Sequence, residues 1–178
     1  GACSRCSGLG SLLQVNQELI INPRLSINEG GILPFTRSFA QETWFARIVK
    51  TVGAEHGIDP KLPLGTLTFE QKKILFWGTN DKEYKVEGKN RFGKWTYIWE
   101  IFKGIVPYLE ERYHASQSEW TRREIEKYMQ ENICPGCLGA RLKKEALGVV
   151  INKQSIHNVC SLPIDKTLIF IRGLKNEA

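Results

Sequence analysis

No run of apolar residues in this chain approaches the ~20 that a membrane-spanning helix needs. The opening Gly1-Ala2-Cys3-Ser4-Arg5 lacks the apolar centre of a secretory signal. A soluble, cytoplasmic protein with no membrane partner is therefore expected. Also absent are a G-x-x-x-x-G-K-[ST] phosphate loop, a G-x-S-x-G nucleophile elbow, an H-E-x-x-H zinc-protease helix and the H-x-E of a nucleobase deaminase. With neither a triphosphate cradle nor a motif for nucleophilic or metal-water chemistry, the chain is expected not to be an enzyme by itself, and no residue receives a catalytic role. His56, His114 and His157 have no motif context and read as surface or capping residues. No low-complexity segment occurs, and nothing repeats beyond one cysteine pattern described below.

What is present suits a folded domain, or a domain with a smaller lobe. The 178 residues are 42% hydrophobic and include five tryptophans. Apolar helix faces and the tryptophans are expected to bury enough surface for residues 11–128 to fold without metal. The net charge of +6 is uneven: residues 1–60 balance, and all of the excess lies beyond them. Such an excess suits a polyanionic partner without requiring one.

Hydrophobic periodicity predicts an α+β fold, in which a small antiparallel hairpin packs with several helices between cysteine-bearing, zinc-ribbon-like ends. Helices are expected over 40–53, with Trp44, Phe45, Ile48, Val49 and Val52 on one face, and over 68–76, opened by a Thr68/Gln71 capping box. Two more are expected over 105–114 and 117–130, the last capped by Ser116 with Glu119. A hairpin should rise over 83–86, turn through Lys89-Asn90-Arg91-Phe92-Gly93 and return over 95–101. Leu19-Ile20-Ile21 and 146–151 read as strands, Glu29-Gly30-Gly31 as a turn, and 162–174 as including a short helix.

Four of the five cysteines form two C-x-x-C pairs, Cys3/Cys6 and Cys134/Cys137, with 127 residues between the pairs. In a chain without a signal, that spacing points to thiolate ligands for zinc rather than to disulfides. Each pair is followed by small residues and glycine, in Cys6-Ser7-Gly8-Leu9-Gly10 and Cys137-Leu138-Gly139, so that backbone N–H groups can turn toward the sulfurs. The fifth, Cys160, sits in an apolar setting and reads as a small buried hydrophobe.

The residues around both pairs resemble the UvrA family, the damage-recognition ATPases of bacterial nucleotide excision repair. Residues 1–10 fit its G-A-C-x-x-C-x-G-L-G motif, and Cys134-Pro135-Gly136-Cys137-Leu138-Gly139-Ala140-Arg141-Leu142 through Ala146 fit C-x-x-C-x-G-x-R-L-x-x-E-A. Between them, Asn22-Pro23-Arg24-Leu25-Ser26, Gly30-Gly31-Ile32 and Glu110-Glu111-Arg112-Tyr113 follow the family pattern in order. The resemblance implies an internal piece of a longer protein. Residues 1–10 would be an arm of a signature domain, 11–128 an insertion domain, and 129–178 a further signature-domain segment. ATP and magnesium would belong to the longer protein only, because the family's L-S-G-G signature and Walker B acid are absent here. That protein would form a homodimer and bind UvrB outside this chain. The resemblance favours two zinc half-sites, each completed by residues elsewhere, so that zinc is incomplete or absent here; one metal shared by all four cysteines is the alternative. A freestanding zinc-binding interaction module is the competing reading of the whole chain.

The family encircles double-stranded DNA, which requires sequence-independent phosphate contacts from Lys and Arg. The hairpin supplies Lys85, Lys89, Arg91 and Lys94 among Tyr84, Phe92, Trp95 and Tyr97. A second candidate is Arg122 with Arg123. Both stretches also carry acids, so the opposing reading is a solvated, salt-bridged face.

Overall fold

In the computed structural model, which describes residues 1–90 and 92–174, helices and short strands alternate along the chain. In order they are β1 (Ser11–Val15), α1 (Gln17–Ile20), α2 (Thr36–Ala40), α3 (Trp44–Glu55), α4 (Phe69–Trp77), β2 (Glu83–Lys89), β3 (Trp95–Ile101), α5 (Ile105–Ala115), α6 (Glu119–Glu126), β4 (Met129–Ile133), α7 (Lys144–Leu147), β5 (Val150–Ile151), β6 (Gln154–Ser155), α8 (Ile156–Cys160) and α9 (Ile164–Gly173). Strands pair as β1 with β4, β2 with β3 and β5 with β6. The α+β expectation holds. The chain divides into two units, one of residues 14–130 and one of residues 1–13 with 131 onward.

The 14–130 unit is organised by α3. Thr43 caps it by accepting from the Ala46 N–H, and its inner face buries Ala46, Ile48, Val49, Val52 and Gly53. Against this face lies the antiparallel β2–β3 pair, in which Tyr84, Val86 and Gly88 alternate inward along β2. The inward side chains meet Ile20, Ile32, Phe39, Leu75, Ile105 and Leu109 in one continuous core. Phe35, Phe45 and Tyr108 stack beside it, with centroids 4.2 Å apart for the first pair and 4.4 Å for Phe45 and Tyr108. His56, immediately after α3, lies within hydrogen-bonding distance of the buried Tyr84 hydroxyl at 2.9 Å.

Helix α4 opens on the expected capping box: Thr68 Oγ1 accepts from the Gln71 N–H, and Gln71 Oε1 accepts from the Thr68 N–H. Replacing Thr68 by Ala orphans one of these donors and is expected to cost about 1 kcal/mol in denaturant unfolding. An unchanged midpoint would show that solvent satisfies the donor equally well.

Several expectations need correction. Leu19-Ile20-Ile21 is not a strand: Asn16 caps the Glu18 N–H, and the segment turns into α1. The second capping box does not form, because Ser118 rather than Ser116 caps α6 by accepting from the Thr121 N–H. That helix ends at Glu126, where the chain leaves to enter β4. Residues 144–147 are helical, and only Val150–Ile151 of the expected 146–151 strand is extended. Only Trp44 among the tryptophans packs against the core. Trp77, Trp95, Trp99 and Trp120 are 50%, 73%, 58% and 69% exposed, so the burial comes from aliphatic residues, Phe and Tyr.

Candidate metal centre and nucleic-acid face

Both C-x-x-C pairs form the same turn. After Cys6 the chain takes left-handed φ angles at Ser7 (51°) and Gly8 (85°), and after Cys137 it does so at Leu138 (50°) and Gly139 (84°). That bend aims a backbone N–H at each sulfur: Gly10 N donates to Cys6 Sγ and Arg141 N to Cys137 Sγ, both at 3.3 Å. Gly10 and Arg141 are therefore equivalent positions, each four residues beyond its cysteine and each left-handed, at 87° and 66°.

The two turns also grip one another reciprocally. Cys3 N donates to the Arg141 carbonyl and Cys134 N to the Gly10 carbonyl, both at 2.9 Å. Arg141 is thus spent on scaffolding through its backbone. This exchange brings the four sulfurs of Cys3, Cys6, Cys134 and Cys137 within 4.8 Å of one another, all buried, as a set able to hold a metal ion. The favoured expectation of two separate half-sites is overturned, and the shared-cluster alternative is the arrangement found. Four free thiols gathered in this way, with no disulfide among them, are the donor set of a soft or borderline cation.

The sulfurs are electrostatically unequal. Burial opposes ionisation of Cys6, but the N–H groups of Gly10 and Gly8 and the neighbouring thiols outweigh it and lower its pKa to about 6. At Cys137 burial wins, the adjacent sulfurs add to it, and the pKa is pushed up to about 11 against the Arg141 N–H. One thiolate forms readily and further ones meet its charge, which a bound cation would neutralise. Cys160, expected to be buried, is exposed and stands apart from the cluster.

The candidate DNA-contacting basic residues lie in two places within the 14–130 unit. Lys85 is 46% exposed and pairs with Glu87 at 2.6 Å, which raises its pKa through that hydrogen bond and charge. Its ammonium also sits 4.6 Å from the Tyr97 ring centroid. Lys89 and Lys94 are exposed near the hairpin tip and make no ion pair among the described residues, whereas Arg91 lies outside those residues. On α6 the Arg122 and Arg123 side chains are exposed, and Arg123 pairs with Glu119 at 3.3 Å. Sequence reading overlooked the acceptors that set the hairpin's inner side. Trp44 Nε1 donates to Glu100 at 3.1 Å, and Arg47 Nη1 donates to the Lys89 carbonyl at 3.1 Å across Gly88, where a Cβ would displace the guanidinium. A glycine in the middle of a strand, which leaves room for another side chain to cross, was the available signal.

A family model described as the UvrA DNA-binding domain matches residues 16–127. Among curated relatives, UvrABC system protein A of Listeria monocytogenes serotype 4b (strain F2365) is 39% identical over 98% of this chain. Its counterpart in Thermus thermophilus (strain ATCC 27634) is 37% identical over 98%. This chain spans 18% of the length of each. The crystal structure of UvrA2 from Deinococcus radiodurans superposes with a TM-score of 0.69 at 21% identity, over 97% of this chain and 22% of that one, a likeness of fold.

Proposed function

Because the chain belongs to the UvrA DNA-binding domain family, we propose that it is the DNA-contacting segment of a damage-recognition ATPase in nucleotide excision repair, a cytoplasmic protein. In this reading it binds double-stranded DNA without sequence preference and catalyses nothing alone. The observation that carries the reading is the match of a DNA-binding domain over residues 16–127. A freestanding zinc-binding module would account for the cysteines but not for that match.

Residues 11–128 are then the insertion domain, and 1–10 with 129–178 belong to the signature domain. ATP and magnesium binding, homodimer formation and the contact with UvrB fall to other parts of the longer protein. The metal of the cysteine cluster is zinc. Sulfurs about 2.3 Å from zinc in a tetrahedron stand about 3.8 Å apart, and Cys6 Sγ lies 3.7 Å from Cys137 Sγ. Cys3, Cys6, Cys134 and Cys137 would hold it, and its role would be to tie the two turns together rather than to polarise a substrate.

The DNA contacts are Lys85, Lys89, Arg91 and Lys94, with Arg122 and Arg123 as a second patch. With a net charge of only +6, duplex binding is expected in the non-specific range, about 10⁻⁴–10⁻⁶ M at physiological salt. Replacing Lys85, Lys89, Arg91 and Lys94 by Ala should weaken binding equally on unrelated duplexes and flatten the salt dependence by about one unit per lost phosphate contact. A quadruple variant that bound like the parent chain would move the contact to Arg122 and Arg123. No duplex binding by either protein would sink the reading.

A further inference from the structure

The β2–β3 hairpin has an outer face that its packing does not explain. The inward positions of β2 serve the core, whereas no residue of β3 is fully buried. In the strand register, Trp95 stands opposite Lys89, Tyr97 opposite Glu87 and Trp99 opposite Lys85. These positions face away from the buried Tyr84, Val86 and Gly88, because side chains alternate along a strand. Trp95 is 73% exposed, Tyr97 55% and Trp99 58%. Three large rings thus lie in a row on one face of a strand, turned to solvent, where burial would have been worth a few kcal/mol for each ring.

The spacing and the chemistry of that row identify an occupant. Alternate residues on a strand are about 6.7 Å apart, roughly twice the 3.4 Å rise per nucleotide of a stacked strand. A duplex, whose base faces are already covered by their neighbours, cannot use such a row; an extended strand with unstacked bases can place one base on each ring. Lys89 and Lys94 near Trp95 supply cations along the same ribbon for the connecting phosphates, while Lys85 lies over the Tyr97 ring. Lys85 and Glu87 offset one another at 2.6 Å, so the net cations on the ribbon are Lys89 and Lys94, with Glu83 as the opposing charge on this face.

We propose that the outer face of this hairpin is a stacking platform for an unpaired, unstacked DNA strand, with Trp95, Tyr97 and Trp99 each accepting a base. The proposal deepens the DNA-binding reading above and rests on it. The attraction comes mainly from ring faces and little from charge, so it tolerates any sequence. Its salt dependence should be shallow, with one or two phosphates neutralised and a slope of about −0.7 to −1.4.

The test compares a labelled twelve-nucleotide oligothymidylate, which cannot pair with itself, with a twelve-base-pair duplex on the full chain. The oligothymidylate is expected to bind at least tenfold more tightly and to quench tryptophan fluorescence. Each lost base stack is worth about five- to a hundredfold. Trp95→Ala with Trp99→Ala should therefore cost thirtyfold or more on the single strand and under threefold on the duplex. Both positions are exposed, so the variant should keep its melting temperature, and Trp95→Phe with Trp99→Phe should retain most of the binding. Equal affinity for the two probes, or an alanine variant that binds the single strand normally, overturns the platform while leaving duplex binding intact. Failure of both probes removes the DNA reading and the platform together. Concentration-dependent self-association in sedimentation, abolished by the alanine variant and without any effect on DNA, would assign the face to a second copy and likewise overturn the proposal.

Discussion

Purified protein is expected to carry one zinc ion per chain, and Cys134→Ser is expected to empty the site and unfold the cysteine-bearing unit. That unit has little else to hold it. Its buried cluster consists of the four cysteines and Ala140, with Leu12 and Leu147 packed alongside, while α7, α8 and α9 bury no residue. Structural zinc contributes about 10–16 kcal/mol in small zinc-organised folds at neutral pH, far more than this apolar cluster can supply. Cys134 is the test position because it is fully buried and its backbone anchors the reciprocal hydrogen bond to Gly10. Chelation should reproduce the variant, and metal retention should weaken as pH falls, since protons compete for the same sulfurs. The 14–130 unit has its own core without cysteine, so helices α3, α4 and α5 should survive in circular dichroism and amide exchange. Elemental analysis giving no zinc, or a chelator that collapsed the whole helical signal, would refute this division.

Gly104→Ala is expected to destabilise the 14–130 unit by about 2–4 kcal/mol, lowering its melting temperature by roughly 10 °C. Gly104 precedes α5 at φ 98°, where an L side chain is strained. A Cβ there would collide with the Phe76 carbonyl and lie 2.6 Å from both Gly78 N and the Trp77 carbonyl carbon. Gly78, which ends α4 at φ 78°, is just as closely approached by the Phe102 carbonyl and by Lys103. These obstacles are backbone atoms, so no side-chain rotation relieves them. The two glycines let the end of α4 and the start of α5 cross at backbone contact, at the base of the hairpin. Gly93→Ala in the hairpin turn is the control: its φ of 76° is strained as well, but a Cβ there meets nothing within 4 Å. Its loss should be smaller, of the order of 1 kcal/mol. Equal losses at the two positions would mean that φ alone, not the crossing, sets the effect.

How much of this was legible in the sequence follows the range of the interactions. The Thr68/Gln71 capping box, the helix that became α3 and the hairpin are set by residues a few positions apart, and their presence was readable, although α3 begins at Trp44 rather than at residue 40 and β2 runs on to Lys89 rather than ending at Val86. The paired cysteine turns were readable for the same reason, through their C-x-x-C-x-G spacing. Their union was not, because the Cys3–Arg141 and Cys134–Gly10 hydrogen bonds join residues more than 120 positions apart. Neither was the choice of Ser118 over Ser116 as the α6 cap, since a serine at either position can accept from an N–H three residues on. The tryptophans misled because an aromatic residue signals apolar area without saying whether protein or a ligand covers it.

That last point has a cost for the molecule in isolation. Strand β3, reading Trp95-Thr96-Tyr97-Ile98-Trp99-Glu100-Ile101, has β-branched or aromatic residues at six of its seven positions, with one charge and no proline. It pairs with β2 on one side, and its other edge meets no further strand among the described residues. Such a segment is a template for edge-to-edge growth of the kind that seeds aggregates. Lys94 before it and Lys103 after it are charges of the kind that interrupt that growth. A strand that offers rings on its face and an open edge at its side is thereby also exposed to its own kind, and removing the charges that flank it is expected to lower the concentration at which the protein stays in solution.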